Sequence, residues 1–275
     1  MITRFAPSPT GPLHLGHAFS AFTVWEMAAA LGGTALLRIE DTDSTRARAS
    51  HEATIYEDLT WLGLHWPTPV RRQSEHNGDY QTVLSKLAAR GLIYPCSCTR
   101  ADIAAAAAQT GAKGLVYPGT CRHRAVTDAS ATDALRLNID AALAQINAPM
   151  RFKEQHLWHD VDPDRLRQTL GDPVLRRKDS GDPAYHLACT HDDMLQNITH
   201  VVRGMDLWAL TPLHVLIQTV MGWPTPYYHH HDLITDAAGK RLAKIDRSKA
   251  LGKYRAEGLS PNDIRRLVGL PAAIS

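Results

Sequence analysis

The first 40 residues show a short apolar run, a longer stretch with helical spacing and a second apolar run. Residues 3–6 are a candidate strand, and residues 16–31 place apolar side chains with helical spacing. The Gly32-Gly33 pair that follows is a common signal for a helix C-terminus, and residues 34–39 are typical of a buried strand. This strand–helix–strand unit predicts a parallel sheet, with a ligand site at the carboxyl ends of its strands.

The rest of the chain alternates between helical and strand patterns and contains no internal repeat. Further helices are predicted over residues 52–62, 79–90, 103–109, 187–197 and 211–221. Further strands are predicted over residues 134–139 and 198–202. The alternation favours an α/β protein in which a sheet is covered by helices.

The composition is that of an ordinary globular protein of 275 residues, with 44% hydrophobic and 21% charged residues. No apolar run approaches the about 20 residues of a membrane span, and the N-terminus lacks the order of a signal peptide, so we expect a cytoplasmic protein. The net charge of +2 hides an asymmetry. Residues 239–275 contain nine Lys or Arg against three Asp or Glu, whereas the rest of the chain carries a net −4. A basic end favours contact with a polyanion, although a solvated helical face fits the charge equally well.

The segment His14-Leu15-Gly16-His17 opens the first predicted helix and is a candidate phosphate-binding turn. A helix N-terminus offers free N–H groups and a positive dipole end, and glycine lets a phosphate approach the backbone. The histidines can donate hydrogen bonds to phosphoryl oxygens. Because four residues of this kind occur often by chance, two histidines that cap or pack the helix explain the segment alone equally well.

A wider set of segments, in the same order along the chain, resembles the glutamyl-tRNA synthetases. They are Arg4-Phe5-Ala6-Pro7-Ser8-Pro9-Thr10-Gly11, His14-Leu15-Gly16-His17, Arg38-Ile39-Glu40-Asp41-Thr42-Asp43, Tyr185-His186-Leu187-Ala188, residues 198–206 and Lys240-Arg241-Leu242-Ala243-Lys244. The resemblance implies the α/β fold of class I synthetases, with a Rossmann-type parallel sheet. It also implies four parts: a first sheet half at 1–85, a zinc-bearing insertion at 86–165, a second sheet half at 166–235, and a signature loop with a short helical, tRNA-stem-contacting region at 236–275.

The chain departs from that family in its second signature loop and in its length. The loop normally reads Lys-Met/Leu-Ser-Lys, and here Ala243 replaces the serine while Lys244 is kept. Full-length members continue into an anticodon-binding region, whereas about 30 residues follow Lys244. This length resembles short paralogues that activate glutamate without tRNA and transfer it to the queuosine base of tRNA(Asp). The expected partners are ATP with Mg²⁺, glutamate and queuosine-bearing tRNA(Asp), and the expected state is a monomer. A short conventional glutamyl-tRNA synthetase, a non-catalytic tRNA-binding paralogue and a small-molecule nucleotidyltransferase are the alternatives.

The resemblance also implies roles for individual residues. The residues expected at the ATP phosphates are His14, Gly16, His17 and Lys244, of which His14, His17 and Lys244 are the expected catalytic groups. The residues expected around glutamate are Arg4, Phe5, Ala6, Pro7, Ser8, Glu40, Tyr185 and Arg203. Arginine matches a carboxylate with two parallel hydrogen bonds, a glutamate can accept from the ammonium group, and hydroxyls complete the set. Taken singly, each of these residues fits an ordinary surface or core position.

The cysteines form a candidate metal site. Cys96 and Cys98 form a C-x-C pair, and Cys121 follows after 22 residues. In a cytoplasmic chain clustered cysteines favour metal over disulfides, and Zn²⁺ takes four tetrahedral ligands. His123 is the conventional fourth candidate, whereas the resemblance points to Tyr117, so one structural zinc ion is expected on Cys96, Cys98, Tyr117 and Cys121. Three unrelated thiols are the alternative.

Two further features are given a structural interpretation. Cys189 is expected in the core. The run His229-His230-His231 is not expected to form one metal site, because neighbouring residues on an extended segment point to opposite faces. His230 corresponds to the family histidine ahead of the signature loop, where it either lines the ATP pocket or has a structural role.

Overall fold

The computed structural model describes residues 1–106, 109–111, 114–234 and 249–272, and the chain divides into two compact units. The first unit comprises Met1–Gln73, Ile198–Trp208 and Tyr227–Ser275. The second comprises Ser74–Asn197 and Ala209–Pro226. The first unit is therefore assembled from segments that are far apart in sequence.

The elements follow one another in a mixed α/β order. In chain order they are β1 (Ile2–Phe5), α1 (Leu15–Ala30), β2 (Thr34–Ile39), α2 (Ala49–Trp61), β3 (Arg71–Arg72), α3 (Asn77–Ala89), β4 (Ile93–Cys96), α4 (Arg100–Ala106), β5 (Thr110–Gly111), β6 (Gly114–Leu115), β7 (Ala134–Leu137), α5 (Ile139–Ala144), β8 (Arg151–Glu154), β9 (Leu157–Asp160), α6 (Pro163–Leu170), β10 (Val174–Arg176), α7 (Tyr185–Leu195), β11 (His200–Gly204), α8 (Thr211–Met221), β12 (Tyr227–His231), α9 (Leu251–Ala256) and α10 (Pro261–Leu267).

The first unit is built on parallel strands. β1 pairs in parallel with β2, β2 with β3, and β11 with β12. β11 lies on the other side of β1, where the Thr199 N–H donates to the Ile2 carbonyl at 2.9 Å. The parallel strands β3-β2-β1 therefore adjoin the parallel pair β11-β12 at β1 and β11, and the carboxyl ends of β1, β2 and β11 lie along one edge.

The core of the first unit lies where α1 and α2 pack on this sheet. Phe22 and Val24 of α1 are buried together with Leu37 of β2 and Leu59 of α2. Leu251 of α9 is also fully buried there, and its N–H donates to the Leu13 carbonyl at 2.8 Å. The described residues from 249 onward are therefore anchored against the start of α1.

The second unit contains antiparallel pairing. β4, β7 and β10 form a sheet in the order β10-β7-β4. β8 and β9 form a hairpin, and β5 and β6 form a two-residue ladder. Helices α7 and α8 contribute much of the buried surface, including Leu187 and Leu216, which are 0% exposed.

Most of the predicted elements are confirmed, and their ends differ for local reasons. β2 and α8 begin and end where the sequence patterns predicted. The strand predicted to reach residue 139 stops at Leu137, because the Asn138 side chain accepts from the Ala141 N–H at 3.0 Å and caps α5. Within the described ranges, no helix combines the length and apolar character needed to cross a bilayer.

Candidate active site and metal centre

The His14–His17 turn is closed by two reciprocal hydrogen bonds. Nδ1 of His14 accepts from the Gly16 N–H at 3.1 Å, and Nδ1 of His17 accepts from the His14 N–H at 3.2 Å. The two rings lie 3.8 Å apart, centroid to centroid. A Cβ on Gly16 would lie 2.9 Å from Cε1 of His14, so glycine is needed here to leave room for the histidine ring. The histidines thus act as the helix cap as well as candidate ligands.

These hydrogen bonds define the protonation of both rings. Since both Nδ1 atoms accept, each neutral ring carries its proton on Nε2. Burial lowers the pKa of His14, and burial together with the charge of His14 lowers the pKa of His17 to about 3. Both histidines are therefore neutral at pH 7, with Nε2–H available as a donor beside the N-terminus of α1.

Two arginines are buried on neighbouring strands of the first unit. Arg4 of β1 is 4% exposed and Arg203 of β11 is 5% exposed. Nη1 of Arg4 lies 3.5 Å from the Val202 carbonyl oxygen, one residue before Arg203. A pair of buried guanidinium groups at one sheet edge is a strong attractor for carboxylates.

Arg203 is held by its neighbours on β12 and on the following turn. Its Nε donates to Nε2 of His230 at 3.0 Å, and its Nη2 donates to the Leu207 carbonyl at 3.3 Å. The strand register places His230 directly beside Arg203, and Cζ of the arginine lies 5.2 Å from the Tyr228 ring centroid. His230 and the Leu207 carbonyl are therefore two of the acceptors that orient Arg203.

Glu40 follows β2 and is buried beside Arg38. Its Oε1 accepts from Nη2 of Arg38 at 3.0 Å, and its N–H donates to the Pro7 carbonyl at 3.0 Å. The motif at residues 4–11 and the motif at 38–43 therefore meet. Sequence reasoning did not identify Arg38, although two residues separated by one position on a strand share a face, which could have indicated the Arg38–Glu40 pair.

The other residues predicted around glutamate differ in their burial and in the unit to which they belong. Pro7 is buried and Ser8 is exposed, while Ala6 is partly buried. The Phe5 side chain belongs to the core of the first unit, with its ring 6.3 Å from that of Trp25. Tyr185 is the first residue of α7 in the second unit, where its ring lies 5.6 Å from that of His214. Its predicted role toward glutamate stays a prediction, as do the others.

The second signature loop lies outside the described residues, and with it Lys244. Most of the tail cations that the structure does describe have carboxylate partners. These pairs are Lys249 with Glu257, Arg255 with Glu57, Arg265 with Glu26 and Arg266 with Asp263. The described part of the tail therefore offers a polyanion less free charge than its composition suggests.

The three cysteines predicted to bind metal converge in the second unit. The sulfur atoms of Cys96, Cys98 and Cys121 all lie within 4.8 Å of one another, and those of Cys98 and Cys121 are 3.5 Å apart. Tetrahedral zinc with Zn–S bonds of about 2.3 Å requires sulfur separations of about 3.8 Å. The cluster therefore fits a zinc ion with only small adjustments.

Tyr117 is the fourth group at this cluster. Its Oη lies 3.3 Å from Sγ of Cys96 and 3.6 Å from Sγ of Cys98. His123 is exposed and does not join the cysteine group among the described residues. Burial raises the pKa of the Cys121 thiol, but hydrogen bonds from Tyr117 and Cys98 outweigh it and lower that pKa to about 7. The placement favours Tyr117 over His123 as the fourth ligand.

The two features interpreted as structural have the following surroundings. Cys189 is fully buried in α7, 3.7 Å from Oδ2 of Asp193. The three adjacent histidines lie in β12, where His229 is only partly buried and His231 is buried, with Nε2 3.0 Å from Oγ of Ser20. The three histidines therefore lie on an extended strand, as predicted, and His230 and His231 have different partners.

Comparison with known proteins agrees with this geometry. Residues 1–271 match the family model "tRNA synthetases class I (E and Q), catalytic domain". The chain is 50% identical to the Glutamyl-Q tRNA(Asp) synthetase of Rhodobacter capsulatus, covering 98% of this chain and 100% of that protein. It is 39% identical to the protein of the same name from Cupriavidus metallidurans, covering 97% of this chain and 82% of that protein.

Solved structures give the same fold. The glutamate-tRNA synthetase of Elizabethkingia anophelis matches 98% of this chain with a TM-score of 0.76 at 27% identity. A glutamate tRNA ligase from Elizabethkingia meningosepticum, solved in complex with its amino acid, matches with a TM-score of 0.74, also at 27% identity. The chain spans 61% and 60% of the lengths of these two solved chains.

These matches confirm the class I synthetase fold predicted from the motifs. Together the family model and the named relatives support an ATP-dependent ligase that carries out glutamylation, with ATP and Mg²⁺, glutamate and tRNA as substrates. The buried arginines of the first unit, the capped histidine turn and the cysteine cluster occur here in one chain that matches along almost its whole length. The chain belongs to the glutamyl-Q tRNA(Asp) synthetases, a group of ATP-dependent ligases within the class I tRNA synthetase catalytic-domain family.

Proposed function

We propose that this protein activates glutamate with ATP in the absence of tRNA and transfers it to the queuosine base at the wobble position of tRNA(Asp). It would act as a monomer in the cytoplasm, where these substrates are found. The observation that carries the proposal is the convergence of Arg4, Arg203 and Glu40 along one sheet edge of the first unit. The full-length match to Glutamyl-Q tRNA(Asp) synthetase supports the choice of acceptor.

Glutamate has two carboxylates and one ammonium group, and the site offers complementary charges. Arg4 and Arg203 are the donors for the carboxylates, and because both guanidinium groups are buried their hydrogen bonds are charge-assisted in a low dielectric. Glu40 is the acceptor for the ammonium group. When the site holds no amino acid, the ion pair with Arg38 partly neutralises the negative charge of Glu40.

Activation joins the α-carboxylate of glutamate to the α-phosphate of ATP. A carboxylate oxygen attacks the α-phosphorus, the bond to the bridging β-phosphate oxygen breaks, and pyrophosphate leaves. The Nε2–H groups of His14 and His17 donate to the phosphoryl oxygens as charge develops there, and Gly16 leaves the helix N-terminus accessible. Lys244 would add a positive charge, and Mg²⁺ carried by ATP supplies the remaining neutralisation.

We infer that Cys96, Cys98, Tyr117 and Cys121 hold one structural zinc ion. The protein would occupy all four coordination positions of the zinc ion, which leaves no open position for a reacting water. The ion would tie β4 to the turns that carry Tyr117 and Cys121, and thus stabilise a part of the second unit that has little regular structure.

Two measurements test the enzymatic proposal. Glutamate-dependent ATP–pyrophosphate exchange is expected without tRNA, and glutamate transfer is expected to tRNA(Asp) with queuosine but not to the same tRNA without it. Absence of exchange would contradict the activation step. Transfer to queuosine-free tRNA(Glu) would instead identify a conventional glutamyl-tRNA synthetase.

The role of Lys244 is tested separately. Lys244→Ala is expected to reduce the exchange rate by at least tenfold, since one charge-assisted hydrogen bond to a phosphate is worth about 1.5–3 kcal/mol. The circular dichroism spectrum and the melting temperature should match those of the wild-type protein. An exchange rate within twofold of the wild-type value would remove Lys244 from the mechanism.

A further inference from the structure

Asp172 is a fully buried carboxylate just before β10, in the unit that holds the cysteine cluster. It is 0% exposed, and both of its carboxylate oxygens accept hydrogen bonds. Oδ1 accepts from the Ile139 N–H and from Nη2 of Arg122, each at 3.0 Å. Oδ2 accepts from Nε of Arg122 and from the Tyr94 hydroxyl.

Two of the side-chain partners of Asp172, Tyr94 and Arg122, each lead to a different ligand of the candidate metal centre. Tyr94 lies on β4, two residues before Cys96, where that strand delivers the first cysteine. Arg122 directly follows Cys121, on a segment of turns without a regular element to position it. Two of the ligand-bearing segments are therefore fixed to one carboxylate.

The backbone around Asp172 also fixes the tyrosine ligand. The Asp172 carbonyl accepts from Nη1 of Arg136 at 2.8 Å, and Cζ of Arg136 lies 3.7 Å from the Tyr117 ring centroid. Gly171 forms a parallel bridge with Tyr117, and a Cβ on Gly171 would lie 3.0 Å from the Tyr117 carbonyl oxygen. The stacked guanidinium and the close backbone contact hold the phenol ring so that its hydroxyl reaches the sulfurs.

We propose that Asp172 is the positioning residue of the metal centre, because through Tyr94, Arg122 and Arg136 it sets the segments that carry Cys96, Cys121 and Tyr117. This inference rests on the zinc site proposed above. Metal ligands in proteins are commonly oriented by hydrogen-bonded partners, whose loss weakens metal affinity by about 10–100-fold. Asp172 does not touch a ligand atom itself. It acts by fixing the spacing of the donors before the ion binds.

The same unit contains a matched control. Asp192 of α7 is also 0% exposed, and its Oδ2 accepts from the Tyr80 hydroxyl at 2.8 Å. Its Oδ1 lies 3.0 Å from Nδ1 of His191. This buried tyrosine–aspartate pair has the same chemistry as Tyr94–Asp172, but it leads to none of the four proposed ligands.

The test compares these two pairs in the full-length protein. Asp172→Asn is expected to weaken zinc affinity by about 10–100-fold in a chelator-competition titration, and Tyr94→Phe by a smaller factor. With Co²⁺ in place of zinc, Asp172→Asn should also change the visible absorption bands, because donor geometry changes. Asp192→Asn and Tyr80→Phe should keep the zinc affinity and the Co²⁺ spectrum of the wild-type protein, even where they lower the melting temperature.

Three outcomes would overturn the inference. If both Asp172→Asn and Tyr94→Phe bind zinc and Co²⁺ as the wild-type protein does, Asp172 is a purely structural residue. An equal loss of affinity in Asp192→Asn would show a general effect of unit stability. A wild-type protein that binds neither ion would remove the metal centre itself, and the inference with it. If Asp172→Asn does not fold, the comparison of Tyr94→Phe with Tyr80→Phe carries the test alone.

Discussion

The two candidate sites of this protein are built in different ways. In the first unit, the functional groups lie on or next to regular elements: His14 caps α1, Arg4 and Arg203 lie on β1 and β11, and Glu40 directly follows β2. In the second unit, Cys96 ends β4, whereas Cys98, Tyr117 and Cys121 lie on turns and loops.

The two sites therefore differ in what positions their side chains. Backbone hydrogen bonds of the parallel sheet place the strands that carry the proposed carboxylate-binding arginines, so the position of these side chains does not depend on a bound ion. The cysteine cluster has no such framework and depends on side-chain contacts and on the proposed ion. Changes at the cluster should therefore affect folding first, and changes in the first unit should affect substrate binding first.

The largest effect is expected for Cys98→Ser. Removal of one thiolate should abolish the binding of about one zinc ion per chain, since serine is a poor zinc ligand. Metal analysis by mass spectrometry measures the content, and hydrogen exchange locates the loss of protection, which we expect around residues 93–124. Cys189→Ala is the control, because it removes a buried thiol outside the cluster. Full zinc content in Cys98→Ser would contradict the proposed ligand set.

A smaller but still large effect is expected for Arg203→Met. Loss of a buried, charge-assisted partner for a carboxylate costs about 2–5 kcal/mol, so the KM for glutamate in the exchange reaction should rise by about 100-fold. The melting temperature should change little if the sheet backbone positions this strand. The exposed Arg48→Met serves as a control for the loss of a positive charge. A KM within threefold of the wild-type value would exclude Arg203 from the glutamate site.

The two roles of His17 can be separated by two isosteric variants. His17→Asn places an oxygen near the position of Nδ1 and keeps the acceptor for the His14 N–H, whereas His17→Gln places its amide near Nε2 and keeps the outward donor. His17→Asn should keep the melting temperature and reduce the exchange rate about tenfold, the value of one hydrogen bond. His17→Gln should show the reverse. Equal effects of both variants on rate and stability would contradict this division.

A pH dependence of stability is also expected. The pKa of His17 is lowered by burial to about 3 in the folded protein, against 6.5 for an ordinary histidine. Below pH 6.5 the unfolded chain therefore takes up a proton that the folded chain does not. The contribution to stability is full above pH 6.5 and is lost as the pH falls toward 3, by at most about 1.4 kcal/mol per pH unit.

The difference between wild-type protein and His17→Asn isolates this contribution. Denaturant titrations at pH 7, 6 and 5 should show a steeper loss of unfolding free energy in the wild-type protein than in the variant. If the unfolding free energies of the two proteins fall in parallel with pH, folding does not lower the pKa of His17.

Sequence patterns alone determined the local units of the fold. The strand–helix–strand unit at the N-terminus was predictable, because helix and strand periodicity, the glycine pair and the turn residues all act within a few positions. The extended character of the three histidines was predictable for the same reason. Sequence reasoning missed several short elements, among them β4, α5, β8, β9, α6 and β10, and some of these, such as Arg151–Glu154, have polar sequences.

Tertiary structure alone decided which side chains meet. Register pairs Arg203 with His230, although 27 positions separate them, and β2 brings Glu40 to the Pro7 carbonyl. At the cysteines, the bridge between Tyr117 and Gly171 turns the phenol toward the sulfurs and leaves His123 exposed. Sequence spacing could not distinguish Tyr117 from His123, because the path of a loop is set by contacts with residues far along the chain, such as Asp172, and not by local propensity.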